Sequence, residues 1–392
     1  VNHASMNAAA ARLAAATSHR AEDALRLLET LVNMDTGSRS LEGLSTAGTW
    51  IQEQLEGLGL LVERHEHADA GPTLVGRRSG SGRLRLLFLA HYDTVFDSGE
   101  PRHRPFRVEA GRAFGPGVAD MKGGIVTLWE ALRALNMEGW DDFATLTVIH
   151  NADEEVGSRA SREIIEREGR NCDICLVHEP GRLDGSVVTA RKGVGRYVLT
   201  VHGRAAHAGV NPQDGASAVV ALARKILEIH ALNDPARGIS ANAIVTSGGT
   251  RSNVVPDLAA AEIDLRLPTA ALGAEAIARL EEIAQVQHLP GTHATLSGGV
   301  NRPPFEAGPG GLALFGLAHE AAGILGFPLT AATTGGGSDG NFIAPLGVPV
   351  LDGMGAVGGG YHGPDEYLEL ATLPQRTALT ALLVWEVCRR RA

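Results

Sequence analysis

The sequence predicts an α/β protein built on a mostly parallel sheet, with a second domain set into the first. Three observations predict it. Helix-like and strand-like segments alternate up to about residue 180. The strands among them are short, near-continuous apolar runs, the pattern of strands covered by helices on both faces. Between about Gly193 and Val300 the order changes to βαββαβ, the split βαβ or ferredoxin-like unit, after which the first pattern resumes.

The elements follow in order. Helical periodicity runs from about Ala21 to Val32, and an apolar strand runs from about Leu84 to Ala90. Ile125, Leu128, Leu132 and Leu135 share one face of a helix. A strand from Leu146 to Ile149, a polar helix around Arg159 to Glu168 and a strand from Ile174 to Val177 come next. In the inserted stretch, a strand from Arg196 to Val201 precedes a helix with Val219, Leu222, Ile226 and Ile229 in register. Strands from Ala243 to Thr246 and from Ala260 to Leu267 follow. The latter alternates, with Ile263, Leu265 and Leu267 on one face and Glu262, Asp264 and Arg266 on the other. A helix with Ile277, Leu280 and Ile283 and a strand near Ala294 to Leu296 complete the insertion. After Asn301 come a strand from Val348 to Leu351, a glycine-rich loop and a last helix starting near Thr372, with Pro374 in its first turn. The domains are therefore drawn as 1–192 with 301–392, interrupted by 193–300.

Length and composition narrow the function. A chain of 392 residues exceeds one ordinary core. Its 44% hydrophobic and 20% charged residues, with no run of eighteen apolar positions, predict a soluble protein that does not enter a membrane. A net charge of −10 offers no basic stripe, which argues against nucleic acid and for a small-molecule partner. Three cysteines make no disulfide framework, and Cys172 and Cys175 read as reduced packing residues. The first twenty residues carry no secretory pattern, so a cytoplasmic location is expected, although Val1 leaves open a processed or engineered terminus.

Five segments carry the chemistry. LRLLFLAHYDTV supplies His91 and Asp93, GPGVADMKGG supplies Asp120, NADEEVGS supplies Glu154 and Glu155, LVHEP supplies Glu179, and GGGYHGPDEY supplies His362. Each lies beside an apolar run or a glycine-rich turn, so the side chains are expected to converge where an α/β sheet places its ligands, beyond the carboxyl ends of its strands. Two histidines and three carboxylates, His91, Asp120, Glu155, Glu179 and His362, form a nitrogen and oxygen donor set suited to zinc, with cobalt or manganese as substitutes. Three carboxylates and one hydroxide balance two divalent ions. Glu154 and Glu155 cannot point the same way from an extended chain, so one can ligate while its neighbour takes a proton from water. Asp93 can orient the His91 imidazole.

Other residues receive ordinary readings. His65 and His67 share a strand face but have no carboxylate partner in a motif, and His178 is structural. Ser338 sits in GGGSDG, which lacks the nucleophile elbow, and Gly115 and Gly117 read as a tight turn that places Asp120 rather than a phosphate cradle.

The ordered set HYDTV, FGPGVADMKGG, NADEEVGS, HEP, HGRAAHAG, TTGGGSDG and GYHGPDEY resembles the M20 family of dizinc metallopeptidases, most closely its glutamate carboxypeptidase G2 branch. The resemblance runs from about Leu84 to the C-terminus. It implies a catalytic domain of the zinc aminopeptidase and carboxypeptidase type, with an inserted ferredoxin-like lid and dimerisation domain. It implies two Zn2+ per chain, with His91, Glu179, His362 and Glu155 as ligands, Asp120 bridging, Glu154 as general base and Asp93 behind His91. It further implies a homodimer in which His207 reaches the other copy's site to stabilise an oxyanion, with Arg266, Asn253 and Gly337 beside the substrate. The implied activity is hydrolysis of a peptide or N-acyl amide bond next to a free C-terminal carboxylate. An N-acyl-amino-acid deacylase is the alternative, and a non-catalytic ligand-binding homologue is a more distant one.

Overall fold

The computed structural model describes residues 3–391 and divides into two units, Val1–Ala190 with Ala307–Thr333 and Ser338–Ala392, and Arg191–Glu306 with Thr334–Gly337. The first unit is organised by a six-stranded sheet. Its strands are β1 (Leu61–His65), β2 (Thr73–Ser79), β3 (Arg85–His91), β4 (Thr145–Asn151) and β5 (Ile174–Val177), with the short strand Val350–Leu351 at one edge. They lie in the order β1, β2, β4, β3, β5, Val350–Leu351. The ladders from β4 through β3 and β5 to Val350–Leu351 are parallel, and β1 and β2 add an antiparallel margin.

The central strand β3 is buried from Leu86 to His91, which explains its unbroken apolar run. Helix Gly123–Met137 is buried on nearly every side, because it packs against both the sheet and the terminal helix Thr372–Arg391. Inside this layer Trp129 Nε1 donates to His150 Nε2 at 3.0 Å, and His150 Nδ1 meets the Ala90 carbonyl at 3.1 Å. Those partners require a neutral ring with its proton on Nδ1. Burial accordingly pushes the His150 pKa down to about 4. The buried Glu130 is matched by Arg20 at 2.6 Å and Arg133 at 3.2 Å.

The second unit contains β6 (Gly193–His202), β7 (Ser240–Gly248), β8 (Leu258–Leu267) and β9 (His293–Arg302), arranged antiparallel in the order β7, β8, β6, β9. Helices Ala218–His230 and Ala270–Gln285 are N-capped by Ser217 and Thr269, whose side chains accept the N–H groups of Val220 and Leu272. The alternation in β8 buries Ile263, Leu265 and Leu267, which join Leu222, Leu280 and Ile283 of these helices in one core. The Lys225 ammonium donates to the carbonyls of Ile283, Ala284 and Val286 at 2.6–3.1 Å, closing the end of the second helix.

Several features depart from the sequence reading. The second unit begins at Arg191 and ends at Glu306, because Arg191 and Phe305 exchange backbone hydrogen bonds beyond the sheet. Residues 334–337 belong to it as well, with the Thr334 carbonyl accepting the Lys192 N–H. His67 lies past the end of β1 and contacts Thr73 Oγ1, so it shares no strand face with His65. The polar helix starts at Arg162 rather than Arg159. Glu154 and Glu155 stand in a single 3-10 turn, Glu154–Val156, not on extended chain. Helices His3–His19, Leu41–Gly57 and Pro309–Ile324 and a small four-stranded sheet carry no strong sequence signal. Cys172, Cys175 and Cys388 are buried and free, and no helix among the described residues is long and apolar enough to cross a membrane.

His150 should make the fold acid-sensitive. Its folded pKa lies below its unfolded value of about 6.5, so the unfolded state binds the extra proton, and stability present above that value is lost as pH falls toward 4. Urea titration of metal-stripped protein should lose about 3 kcal/mol from this side chain over that interval, a share missing in His150→Gln.

Candidate active site

The site grows from the carboxyl ends of β3, β4 and β5 in the first unit. His91 is the last residue of β3 and is buried. Its Nδ1 lies 3.1 Å from the Asp93 carbonyl and 3.3 Å from Asp93 Oδ1, which turns Nε2 outward to stand 3.3 Å from Asp120 Oδ1 and 3.7 Å from Glu179 Oε1. Asp93 is wholly buried and does more than hold this ring. It accepts the N–H groups of Glu154 and Glu155 at 3.1 and 3.2 Å and the Ser38 hydroxyl at 2.7 Å.

Asp120 comes from a loop that breaks regular helix, with φ −109° and ψ 93° at Asp120 itself. The peptide between Asp120 and Met121 is cis. Gly117 adopts φ 71°, and a Cβ there would lie 2.5 Å from Thr94, so the turn admits only glycine. Glu366 accepts the N–H groups of Gly117, Ala119 and Asp120, each at 2.9 Å. Burial pushes the Glu366 carboxyl up to about 7 and the Lys122 ammonium down to about 7.

The turn carrying Glu154 and Glu155 is fixed from below. Asp153 accepts the Ser161 hydroxyl at 2.6 Å and the Ala160 N–H at 2.7 Å. Asp339 accepts the Ser158 hydroxyl at 2.5 Å and an Asn151 amide proton at 2.8 Å. Glu179 follows β5 by two residues, where the first turn of helix Gly123–Met137 presses on the chain: a Cβ at Gly124 would stand 1.8 Å from the His178 carbonyl oxygen. His362 adopts φ 61° on a partly exposed loop, its Nε2 3.3 Å from both Asp120 Oδ2 and Glu155 Oε2.

Two triads result, His91 with Asp120 and Glu179, and Asp120 with Glu155 and His362, the ligand atoms of each lying within 4.8 Å of one another. Asp120 belongs to both. Hydrogen bonds donated to the Asp120 and Glu155 carboxylates raise His362 to about 10. Burial opposes charge on His91, but Asp120 and Asp93 overcome it and hold its pKa well above the ordinary value. Burial likewise opposes ionisation of Asp120, and the two imidazoles reverse that and hold it below the usual carboxylate range. Glu155 is raised, chiefly by burial. Nitrogen and carboxylate donors packed this closely are the chemistry a pair of borderline divalent cations requires, and the residues fit such a pair.

The remaining sequence candidates lie in the second unit. His207 is exposed, and its Nδ1 accepts the N–H groups of Gly209 and Val210 at 3.2 Å, so the neutral ring carries its proton on Nε2. Its segment pairs with that of Asn253, whose carbonyl accepts the Ala208 N–H at 2.9 Å. Arg266 is bound by Asp264 at 2.6 and 2.9 Å and reaches the Gly335 carbonyl at 3.5 Å. Arg191 reaches the carbonyls of Gly336 and Gly337, and a Cβ at Gly337 would meet Arg302 at 2.7 Å.

The profile of Peptidase family M20/M25/M40 matches residues 87–386, about three quarters of the chain. Carboxypeptidase G2 of Pseudomonas sp. (strain RS-16) is 34% identical over 371 residues, covering 93% of this chain and 89% of that protein. This chain belongs to the M20 family. It is therefore a metal-dependent hydrolase of peptide or amide bonds. A succinyl-diaminopimelate desuccinylase of Halorhodospira halophila is 29% identical over 79% of this chain and 85% of its own length. Aminopeptidase PepT from Bacillus cereus shares the fold, with a TM-score of 0.75 at 22% identity over 94% of this chain and 98% of that one.

Sequence reasoning missed Glu366, Asp153 and Asp339. Glu366 lies inside the quoted GYHGPDEY segment and Asp339 inside TTGGGSDG, but an acid that accepts donors from distant loops, backbone N–H groups for Glu366 and the Ser158 and Asn151 side chains for Asp339, leaves no spacing pattern of its own. Ser338, read as no nucleophile, donates to Asp352 at 2.6 Å.

Asp93→Asn should weaken metal binding about 10- to 100-fold in chelator competition, because the amide cannot accept from both N–H groups and from His91. Metal loading of stripped protein at pH 7 should expel protons, since carboxylate neighbours raise His362 to about 10 and hold His91 above its ordinary value, and an imidazole that ligates must be neutral. Calorimetry in buffers of different ionisation enthalpy measures their number.

Proposed function

We propose that this M20 hydrolase binds two Zn2+ and cleaves a peptide or N-acyl amide bond adjacent to a free C-terminal carboxylate. The observation that carries the reading is the sharing of Asp120 between two ligand triads, with Glu154 on the same tight turn as Glu155. In this reading His91, Glu179 and Asp120 hold one ion, and Asp120, Glu155 and His362 hold the other. Cobalt or manganese would serve in their place. When bound, the ions polarise the scissile carbonyl and acidify water.

The chain's own residues do the rest. Glu154 takes the proton of the attacking water and delivers it to the departing amine. Asp93 fixes the backbone of both glutamates, so the division of labour between base and ligand is built into the turn. His207 donates from Nε2 to the developing oxyanion. Arg266, its Nε and Nη2 braced by Asp264, and Asn253 hold the substrate carboxylate, with backbone near Gly337 alongside. Residues 193–300 act as a lid and dimerisation domain, drawn to the junctions near 190 and 306.

A homodimer is part of this reading, with His207 of one copy serving the other. The support is an apolar edge: β7 ends the second sheet and exposes Ile244 and Val245, and helix Ala218–His230 exposes Val220 and Leu227. An unpaired apolar edge strand is a template for pairing with another chain.

Glu154→Gln should lower turnover by at least about 100- to 10,000-fold while metal content stays at the wild-type level. Retained turnover removes the role. Screening dipeptides and N-acyl amino acids with acidic and neutral C-terminal residues tests the substrate class; a preference for short acyl groups irrespective of the amino acid would favour a deacylase instead. Val245→Lys should move the mass measured by light scattering from dimer to monomer.

A further inference from the structure

We infer that Glu366 is a positioning residue that sets where the shared Asp120 carboxylate stands, by tying the loop that supplies His362 to the loop that supplies Asp120. The inference rests on the two-ion reading above. Glu366 is 1% exposed and lies four residues after His362. Its Oε1 accepts the N–H groups of Ala119 and Asp120, and its Oε2 accepts that of Gly117, all at 2.9 Å. Three donors on one carboxylate engage both oxygens, so the side chain cannot turn without stranding buried N–H groups.

The Asp120 loop needs this acceptor. Gly117 at φ 71° and Asp120 at φ −109°, ψ 93° interrupt the helix, leaving these N–H groups without helical carbonyls in line. A side chain from a distant part of the chain replaces them. The same residue restrains the His362 loop on its inner side, while Arg104 holds the Pro364 carbonyl at 2.7 Å on its outer side. Asp120 and His362, 3.3 Å apart, are thereby held as one piece by a link that touches neither metal-facing atom. With both oxygens occupied by backbone donors, Glu366 transfers no proton.

Chemistry makes the position exacting. A glutamine in either orientation presents its NH2 to at least one of the three N–H groups, and an aspartate is one methylene short. Wild type, Glu366→Gln and Glu366→Asp, as full chains stripped of metal, should be titrated with Zn2+ against a chromogenic chelator and with Co2+ followed by its visible absorption. Wild type is expected to take two ions. Glu366→Gln should bind at least one of them about 10- to 100-fold more weakly, with an altered Co2+ spectrum, and Glu366→Asp should be weakened as well. Wild-type affinities and an unchanged spectrum in Glu366→Gln overturn the inference. A wild type that takes fewer than two ions overturns the two-ion reading instead, and that result precedes any variant. Should the variants not fold, hydrogen exchange on stripped wild type decides: the amides of Gly117, Ala119 and Asp120 are expected to be protected, and free exchange there overturns the link.

Discussion

The first unit's chemistry depends on the Asp93 carboxylate. Buried at the mouth of the sheet, it faces the back of His91 with one oxygen and receives the amides of Glu154 and Glu155 from another strand's exit. Burying a carboxylate is costly unless its oxygens are satisfied, and here the donors that satisfy it belong to the groups that must be aligned. The requirement to solvate one buried charge thus fixes the register between β3 and the turn after β4. Glu366 repeats the device on the opposite side and Asp153 repeats it underneath, where Asp339 in turn accepts the side-chain donors of Ser158 and Asn151. The site is a set of facing imidazoles and carboxylates backed by acids that accept backbone and side-chain donors.

This arrangement explains how far the sequence could be read. Groups that face outward from strand ends announce themselves: His91 closes an apolar run, and Glu179 follows another. The parallel core and the βαββαβ order were legible for the same reason, since burial on both faces and strict alternation leave periodic traces. Acids that serve backbone donors leave none, because any loop can present N–H groups. Hence Glu366 passed unnoticed inside a motif that had been singled out for its neighbours, as did Asp339, whose donors are the side chains of Ser158 and Asn151 on a distant segment. The turn at Glu154 also had to be seen, since adjacent side chains diverge in a 3-10 turn as well as in a strand, and sequence does not tell the two apart.

Boundaries were misplaced where backbone pairing outlasts side-chain pattern. Arg191 and Phe305 bond across the junction although neither continues an alternating strand. Residues 334–337 join the second unit through Lys192 and through the arginines around the three glycines, connections between positions 69 to 145 apart that no local pattern records. The first twenty residues, from which the sequence reading took only the lack of a secretory pattern, include helix His3–His19.

The absence of a side chain at Gly124 has a further consequence. With the His178 carbonyl oxygen 1.8 Å from where a Cβ would sit, the loop bearing Glu179 is packed directly on the start of a fifteen-residue helix. That helix lies along the terminal helix, so the far end of the polypeptide is mechanically joined to one wall of the reaction centre. Efforts to shift Glu179 against His91 and Asp120 by editing its loop alone would be resisted by this rod, and substitutions along the helix seam offer the more direct handle.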